Sequence, residues 1–429
     1  MDLNVSLNGL LVGVLTKDNN GGLHFCYQDS WLNQSGARPI SLSLPLTTDV
    51  YSGDIVYNFF DNLLPDNPQI RHKIQSRFKV GTSHAFDLLA AVGGDCVGAI
   101  ALSVGAPADV KKIDYEPLSE AKVAAILQGY KDVPLGMLRD DDDFRISLAG
   151  VQEKTALLKI GDQWAKPIGT TPTSHILKLP IGELPQVNID LTDSCENEFI
   201  CLELARAFGF AVADSEVVTF EGQKSLSVKR FDRQYSSDRR WIMRLPQEDF
   251  CQAMGFASAQ KYQSDGGPDI KRCMDLLRAS SNNHDRTTFF NSQILFWLLA
   301  AIDGHGKNFS VFLAPKNSYH MTPLYDVLSA YPVMAKKGLQ KQKIKMAMSL
   351  KGKNVQWKWD RIQPRHFIST AQHVGFDPQV ARQSLAFMLD NVDSAIATVE
   401  GLIPGGFPEY IAAAIFDGVR ERRDKFRGF

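Results

Sequence analysis

The sequence predicts an α+β fold in two unlike halves, and three observations carry that expectation. Up to Arg244 the apolar residues recur in short, often alternating runs bounded by Gly, Pro, Asn and Asp, the pattern of strands and turns. From Gln247 onward the spacing is mostly helical. At 429 residues the chain exceeds the ~250–300 at which a single core stops growing, so two or three subdomains are expected. The expected division is a small α/β module over 1–135, a β-rich part over 136–245 and an all-helical part over 246–429, with a ligand cleft where unlike layers pack.

Composition narrows the class. A hydrophobic content of 44% with 22% charged residues is that of an ordinary globular protein, and a formal charge of −1 gives no global attraction to nucleic acid. The longest apolar run, Ile294 to Ile302, is far short of the ~20 residues a membrane span needs, and the start lacks a signal-peptide layout, so a cytosolic protein without membrane contact is expected. Six cysteines without CxxC pairs fit reduced core residues rather than a zinc site or a disulfide framework.

In chain order, residues 3–26 read as a β-meander, and Ile40 to Leu46 as an edge strand or extended segment ending near Pro45. Helical spacing follows over Asp54–Leu64, Pro68–Phe78 and Phe86–Val92, then a strand in GAIALSV and a helix over Ser119–Gln128. The run Asp140–Asp143 reads as a solvated boundary. Strands at Phe144–Leu148 and Thr155–Ile160 flank the turn Ala149, Gly150, Val151, Gln152, Glu153 and Lys154. Its backbone N–H groups could cradle phosphate, though with a single glycine the residues by themselves favour a plain hairpin.

Lys178 sits in the strand-like HILKLP, either as an edge residue or facing an anion. Asp193 to Glu196 read as a capping box opening a helix that stops at Gly209, with Phe199, Leu202, Ala205 and Phe208 on its buried stripe. Glu198 on its first turn either faces Lys178 or is solvated. A hairpin turning at Glu221-Gly222 leads to Lys229, Arg230, Phe231 and Asp232. Residues 336–361 hold nine Lys or Arg against one acid, which reads as a mobile solvated loop or as a basic surface.

The chemistry concentrates in ILFWLLAAIDGHGKNFSVFL and the following PLYD. An apolar run delivers Asp303, Asn308 comes five residues later, and Asp326 follows a second turn. Phosphoryl transfer asks for such a trio: one carboxylate orients the attacking hydroxyl, while an Asn and a second Asp hold Mg²⁺. The same Asp-Gly-His-Gly turn would also serve as a plain helix-to-strand connection.

These segments together resemble the HipA family, the serine/threonine-kinase toxins of HipBA toxin–antitoxin pairs. The likeness rests on ARPISLSLPL, NFFDNLLPDNP, DFRISLAGVQEKTALL, SHILKLPIGE, VKRFDR, RLPQEDFCQ, KYQSDGGP, DGHGKNFSVF and PLYDVLSA, in that order. The resemblance implies a bilobal protein-kinase-like domain behind a small α/β N-terminal module. It implies Asp303 as catalytic base, Asn308 and Asp326 as Mg²⁺ ligands and Lys178 as the ATP lysine. Ala149 to Lys154 would cover the phosphates, the backbone of Lys229 and Phe231 would meet adenine, and His305 and Lys307 are grouped with the nucleotide site. Ser147 matches the autophosphorylation site.

Implied partners are a HipB antitoxin dimer, operator DNA reached through HipB, and an aminoacyl-tRNA synthetase substrate, glutamyl-tRNA synthetase in the prototype. Gln372 and Gly375 stand where basic DNA-contacting residues are expected, so direct DNA contact is not predicted. The rival readings are an inert HipB-binding corepressor scaffold and a Mg²⁺-dependent phosphohydrolase.

Overall fold

The structure is a computed structural model that describes residues 1–129, 154–184 and 189–428. Asp140–Asp143, the strand expected at Phe144–Leu148, Ser147, and Ala149, Gly150, Val151, Gln152 and Glu153 of the turn lie outside the described residues. The chain divides into two compact units, each assembled from three separated segments. The first holds Met1–Leu179, Val218–Ala259 and Ser310–Tyr319; the second holds Pro180–Val217, Gln260–Phe309 and His320–Phe429.

The first unit begins with the meander Asp2–Leu7, Leu10–Lys17 and Leu23–Tyr27, antiparallel throughout. Asn8 and Gly9 both take positive φ at its first turn, the conformation a two-residue hairpin needs. Ile100–Ser103 pairs on the far side of Asp2–Leu7. Alternate residues Leu3, Val5 and Leu7 point into a core shared with Phe59 and Phe60 of the helix Asp54–Asp61 and Phe86 of the helix Ala85–Val92. In a second, six-stranded sheet, neighbouring strands run Ser215–Phe220, Gln223–Lys229, His175–Lys178, Lys154–Ile160, Gln163–Pro167, Tyr115–Pro117. His175–Lys178 is paired on both sides, so Lys178 is not on an edge strand.

Ile40 to Leu46 departs from the extended reading: Ser41 and Leu44 form one isolated bridge within a turn. The reason is Glu248, whose buried carboxyl accepts from the Leu42 N–H at 2.7 Å and from the Ser41 hydroxyl. A side chain there competes with a strand ladder for the backbone donor. Burial pushes the Glu248 carboxyl up to about 8 against the opposing pull of those two hydrogen bonds, with the neighbouring Asp249 charge adding to the rise.

A carboxyl raised on folding stabilises the folded state fully below its ordinary value of 4.5, and that contribution is lost as pH rises through about 8. Glu248→Gln keeps a donor for Ser41 and an acceptor for Leu42 but cannot ionise. Urea midpoints measured from pH 5 to 8 are therefore expected to fall for the parent and to stay flatter for the variant.

The second unit is mainly helical. Ser194–Ala207 ends at Phe208 with Gly209 at φ +91, as the sequence predicts. The expected capping box is absent: Asp193 occupies the N-cap without a side-chain cap bond. Its carboxylate lies 3.7 Å from Lys336, which also pairs with Asp190 at 2.6 Å. The helix is buried on more than one stripe, and Glu198 is 2% exposed, which removes its solvated alternative.

The lysine-rich 336–361 stretch is not a loose loop. It folds as the hairpin Lys345–Lys351 with Val355–Lys358, burying Met346, Met348 and Leu350 while its lysines at 345 and 351 stay exposed. The helices Pro364–His373, Pro378–Asp390, Val392–Glu400 and Glu409–Asp424 complete the unit. Arg422 is buried with its guanidinium 3.6 Å from the centre of the Trp359 ring. Among the described residues no helix is long and apolar enough to cross a membrane.

Candidate active site

In the second unit the site starts from the helix Asp285–Leu299, which is buried so completely that its C-terminal end can be held rigidly. The helix stops at Ala300, whose φ of +49° is unusual for a residue with a Cβ and costs about 1 kcal/mol. Surrounding bonds hold it there. The Leu299 carbonyl accepts from the Ser329 hydroxyl at 2.6 Å and the Ala300 carbonyl from the Ala330 N–H at 3.0 Å. Asn197 in turn brackets Ser329 with two 2.8 Å bonds.

The chain then turns through Asp303-Gly304-His305-Gly306-Lys307-Asn308. A Cβ on Gly304 would lie 2.4 Å from the Phe296 ring, so the loop packs against the helix only because that residue is glycine. The His305 N–H bonds the Asp303 carbonyl at 2.8 Å, and the Asn308 N–H bonds the His305 carbonyl at 3.0 Å. His305, Lys307 and Asn308 are buried, whereas Asp303 reaches solvent.

Asp326 approaches from a second loop. The preceding Leu324 is tied to Ala211 and Ala213 by backbone bonds of 2.9 and 2.8 Å, and the Tyr325 hydroxyl donates to the Lys307 carbonyl at 2.8 Å. Asp326 itself has φ +58°, a conformation Asp tolerates better than most residues and one that concentrates at functional sites.

Asn308 joins the two loops: its amide nitrogen donates to the Asp303 carbonyl at 3.0 Å and to the Asp326 carbonyl at 3.3 Å. With the nitrogen committed, its side-chain oxygen is the atom left to face a cation. Asp303 reaches solvent, yet desolvation by the surrounding protein raises its carboxyl from the ordinary value and the nearby Asp326 charge adds to this, while a hydrogen bond from Tyr262 and the Lys261 charge act the other way.

Sequence reasoning assigned no role to Tyr262 or Lys261. KYQSDGGP carries part of the family likeness and its Gly266-Gly267 pair marks a tight turn, but neither says what the segment presents.

In the first unit Lys154 and Lys178 stand directly opposite each other on adjacent antiparallel strands, so both project from one face. Like charges so placed disfavour the sheet unless an anion or a carboxylate offsets them. The same face continues through Ala156, Ile176 and Val228, an apolar strip. Lys229 is exposed at the end of its strand, and the Phe231 ring meets Phe312 edge-on at 5.8 Å.

The charged residues around those two are structural: Arg230, Asp232 and Arg233 are buried together with Asp95 and Arg244. Thus Asp303, His305, Lys307, Asn308 and Asp326 gather in one unit and Lys154, Lys178, Lys229 and Phe231 in the other.

Comparison with known proteins gives the family. The HipA-like C-terminal domain family matches residues 146–396 and the HipA N-terminal domain family matches residues 3–103. A Sinorhizobium fredii protein named "Putative kinase Y4mE" is 34% identical over 92% of this chain and 91% of its own length. The serine/threonine-protein kinase toxin HipA of Shewanella oneidensis is 31% identical over 77% of this chain and 75% of its own length. The solved complex of Shewanella oneidensis HipA with HipB and operator DNA contains a chain that superposes with a TM-score of 0.82 at 24% identity, covering 100% of this chain and 98% of that one, which shows a shared fold. The chain belongs to the HipA family of serine/threonine-protein kinases.

Proposed function

We propose that this kinase uses Mg·ATP to phosphorylate serine or threonine hydroxyls, with Asp303 as catalytic base, and that it acts as a toxin. The observation that carries this reading is the Asn308 amide bridging the backbone carbonyls of Asp303 and Asp326, which ties their two loops together, with the Asp326 charge acting on the Asp303 carboxyl. Asp303 accepts the proton of the attacking hydroxyl; the hydroxyl oxygen forms a bond to the γ-phosphorus as the bond to the β–γ bridging oxygen breaks and ADP leaves. The donor set fits Mg²⁺: Asn308 and Asp326 offer hard oxygens, and this ion usually takes only one or two carboxylates beside phosphate oxygens and waters. When bound, the ion would neutralise developing charge on the phosphates. Lys154 and Lys178 would hold phosphate oxygens, with the apolar strip beside them suited to adenine and the backbone of Lys229 and Phe231 meeting its edge.

Ser147 is the proposed autophosphorylation site. A phosphoserine carries about −1.5 to −2 charges, which beside the proposed phosphate-binding segment at 149–154 would repel ATP and silence the enzyme. The proposed partners are a HipB-type antitoxin and, through it, operator DNA, in keeping with the solved Shewanella complex. The proposed target is an aminoacyl-tRNA synthetase, glutamyl-tRNA synthetase first, whose modification would halt translation and bring on dormancy. A three-part division at about 135 and 245 goes with this reading, the β-rich part serving ATP.

Purified chain incubated with Mg²⁺ and γ-labelled ATP tests it. Label is expected on Ser147 of the parent and is expected to be lost in Ser147→Ala, which should still label added synthetase. Absence of nucleotide binding would instead favour a scaffold that only binds HipB, and free phosphate without labelled protein would favour a hydrolase.

A further inference from the structure

The segment Lys261 to Gly267 is built to present one hydroxyl. The Gly306 N–H of the Asp303 loop bonds the Lys261 carbonyl at 3.1 Å, and the Tyr262 carbonyl accepts from the N–H groups of Asp265 and Gly267, each at 3.0 Å. Gln263 clamps Ser349 of the adjacent hairpin, donating to its hydroxyl at 2.9 Å and accepting from its N–H at 2.8 Å. The turn closes so tightly that a Cβ on Gly267 would sit 1.7 Å from the Gln260 carbonyl oxygen. Backbone pinned from both sides leaves Tyr262 little freedom. Its ring stands edge-on to His305 with centroids 4.8 Å apart, and its hydroxyl donates to Asp303 Oδ1 at 2.7 Å.

That bond divides the two oxygens of Asp303. Oδ1 is occupied by Tyr262, while among the described residues Oδ2 carries no hydrogen bond. A carboxylate on a two-bond side chain otherwise rotates between poses, and a base is useful only when one oxygen is held within hydrogen-bond reach of the proton it takes. Building this contact on an anchored turn that meets the solvent-facing carboxylate has no evident value for core packing, since the hydrogen bond is exposed.

We propose that Tyr262 is the positioning residue of the phosphoryl-transfer site, orienting the Asp303 carboxylate so that Oδ2 faces the substrate hydroxyl. This rests on the proposed role of Asp303 as base and adds to it the residue that aims it. The function belongs to the hydroxyl and not to the ring, which separates it from a packing role.

The test is single-turnover transfer from γ-labelled Mg·ATP to the chain's own Ser147, with steady-state KM for ATP, nucleotide binding and Tm measured alongside. Tyr262→Phe keeps the ring and its contact with His305. It is expected to lower the transfer rate about tenfold, at the lower end of positioning effects, with KM, nucleotide affinity and Tm unchanged. Placing 4-aminophenylalanine at 262 restores a donor at the same position and is expected to recover most of the rate. A Phe variant as fast as the parent, a rate loss matched by a fall in Tm or nucleotide affinity, or no recovery with the amino analogue would each overturn the positioning role alone. A parent that labels nothing would overturn both this role and the assignment of Asp303 as base.

Discussion

Asp303→Asn is expected to reduce phosphoryl transfer about 10²–10⁴-fold, the usual contribution of a positioned general base. The substitution is close to isosteric, and the loop does not depend on the carboxylate charge: the anchoring bonds of His305 and Asn308 go to the Asp303 backbone carbonyl. Tm should therefore stay near the parent value, and Mg·ATP affinity measured by titration calorimetry should change little, since the proposed ion ligands Asn308 and Asp326 are intact. Quantitative mass spectrometry of Ser147 phosphorylation over time reads the rate. A variant that still phosphorylates at the parent rate would remove Asp303 from the chemistry.

Asp95→Ala is expected to cost about 3–5 kcal/mol, because it strips a buried charge from a network whose remaining members cannot reach water. Asp95 is 5% exposed and accepts from Arg233 at 2.9 Å, Arg244 at 3.1 Å, Arg230 at 3.4 Å and the Thr173 hydroxyl at 2.8 Å. Asp232 takes two further bonds from Arg230, at 3.0 and 2.9 Å, and one from the Gly98 N–H at 2.8 Å. Three guanidiniums share two carboxylates, and burial pushes Arg233 down to about 10 despite both neighbouring acids.

Without Asp95, three cations would face Asp232 alone. Against a typical total stability of about 5–15 kcal/mol the loss is severe, and the measurement is a urea midpoint or soluble yield at 25 °C. The same network sets the acid limit. Burial opposes ionisation of Asp95 and Asp232, but the arginine charges outweigh it and hold both below the ordinary 3.8, so their stabilisation is complete above that value and is lost as pH falls further. Unfolding on acidification should begin below about pH 4 and move to higher pH when Arg244 is replaced by Ala.

The contrast between Asp95 and Lys178 shows where sequence reading stops. VKRFDR was legible as a motif, and its place after a strand was correct, but the motif does not show that Arg230 and Arg233 turn inward to meet an acid more than 130 residues earlier. Lys178 reads as a strand lysine with two alternatives; its strand is interior, and the direct pairing with Lys154 places two cations on one face. Ile40 to Leu46 alternates like a strand yet makes a turn, because Glu248 captures its donors from over 200 residues away. The lysines of 336–361 read as solvated, and Lys345 and Lys351 on the hairpin are, while the methionines between them hold it in place.

By itself the sequence determined the meander, the helices expected over 54–64, 68–78 and 86–92 and formed over 54–61, 68–77 and 85–92, the Glu221-Gly222 hairpin and the Asp303 to Asn308 loop. Each is specified by apolar period, turn residues or packing limits that act within a few positions. Only the tertiary structure decided which polar groups are buried together, how Asn308 ties two loops into one site, and that Tyr262 reaches Asp303. Hydrogen bonds between distant segments leave no local period, and they form only once the surrounding core has excluded water and fixed the backbone that carries them.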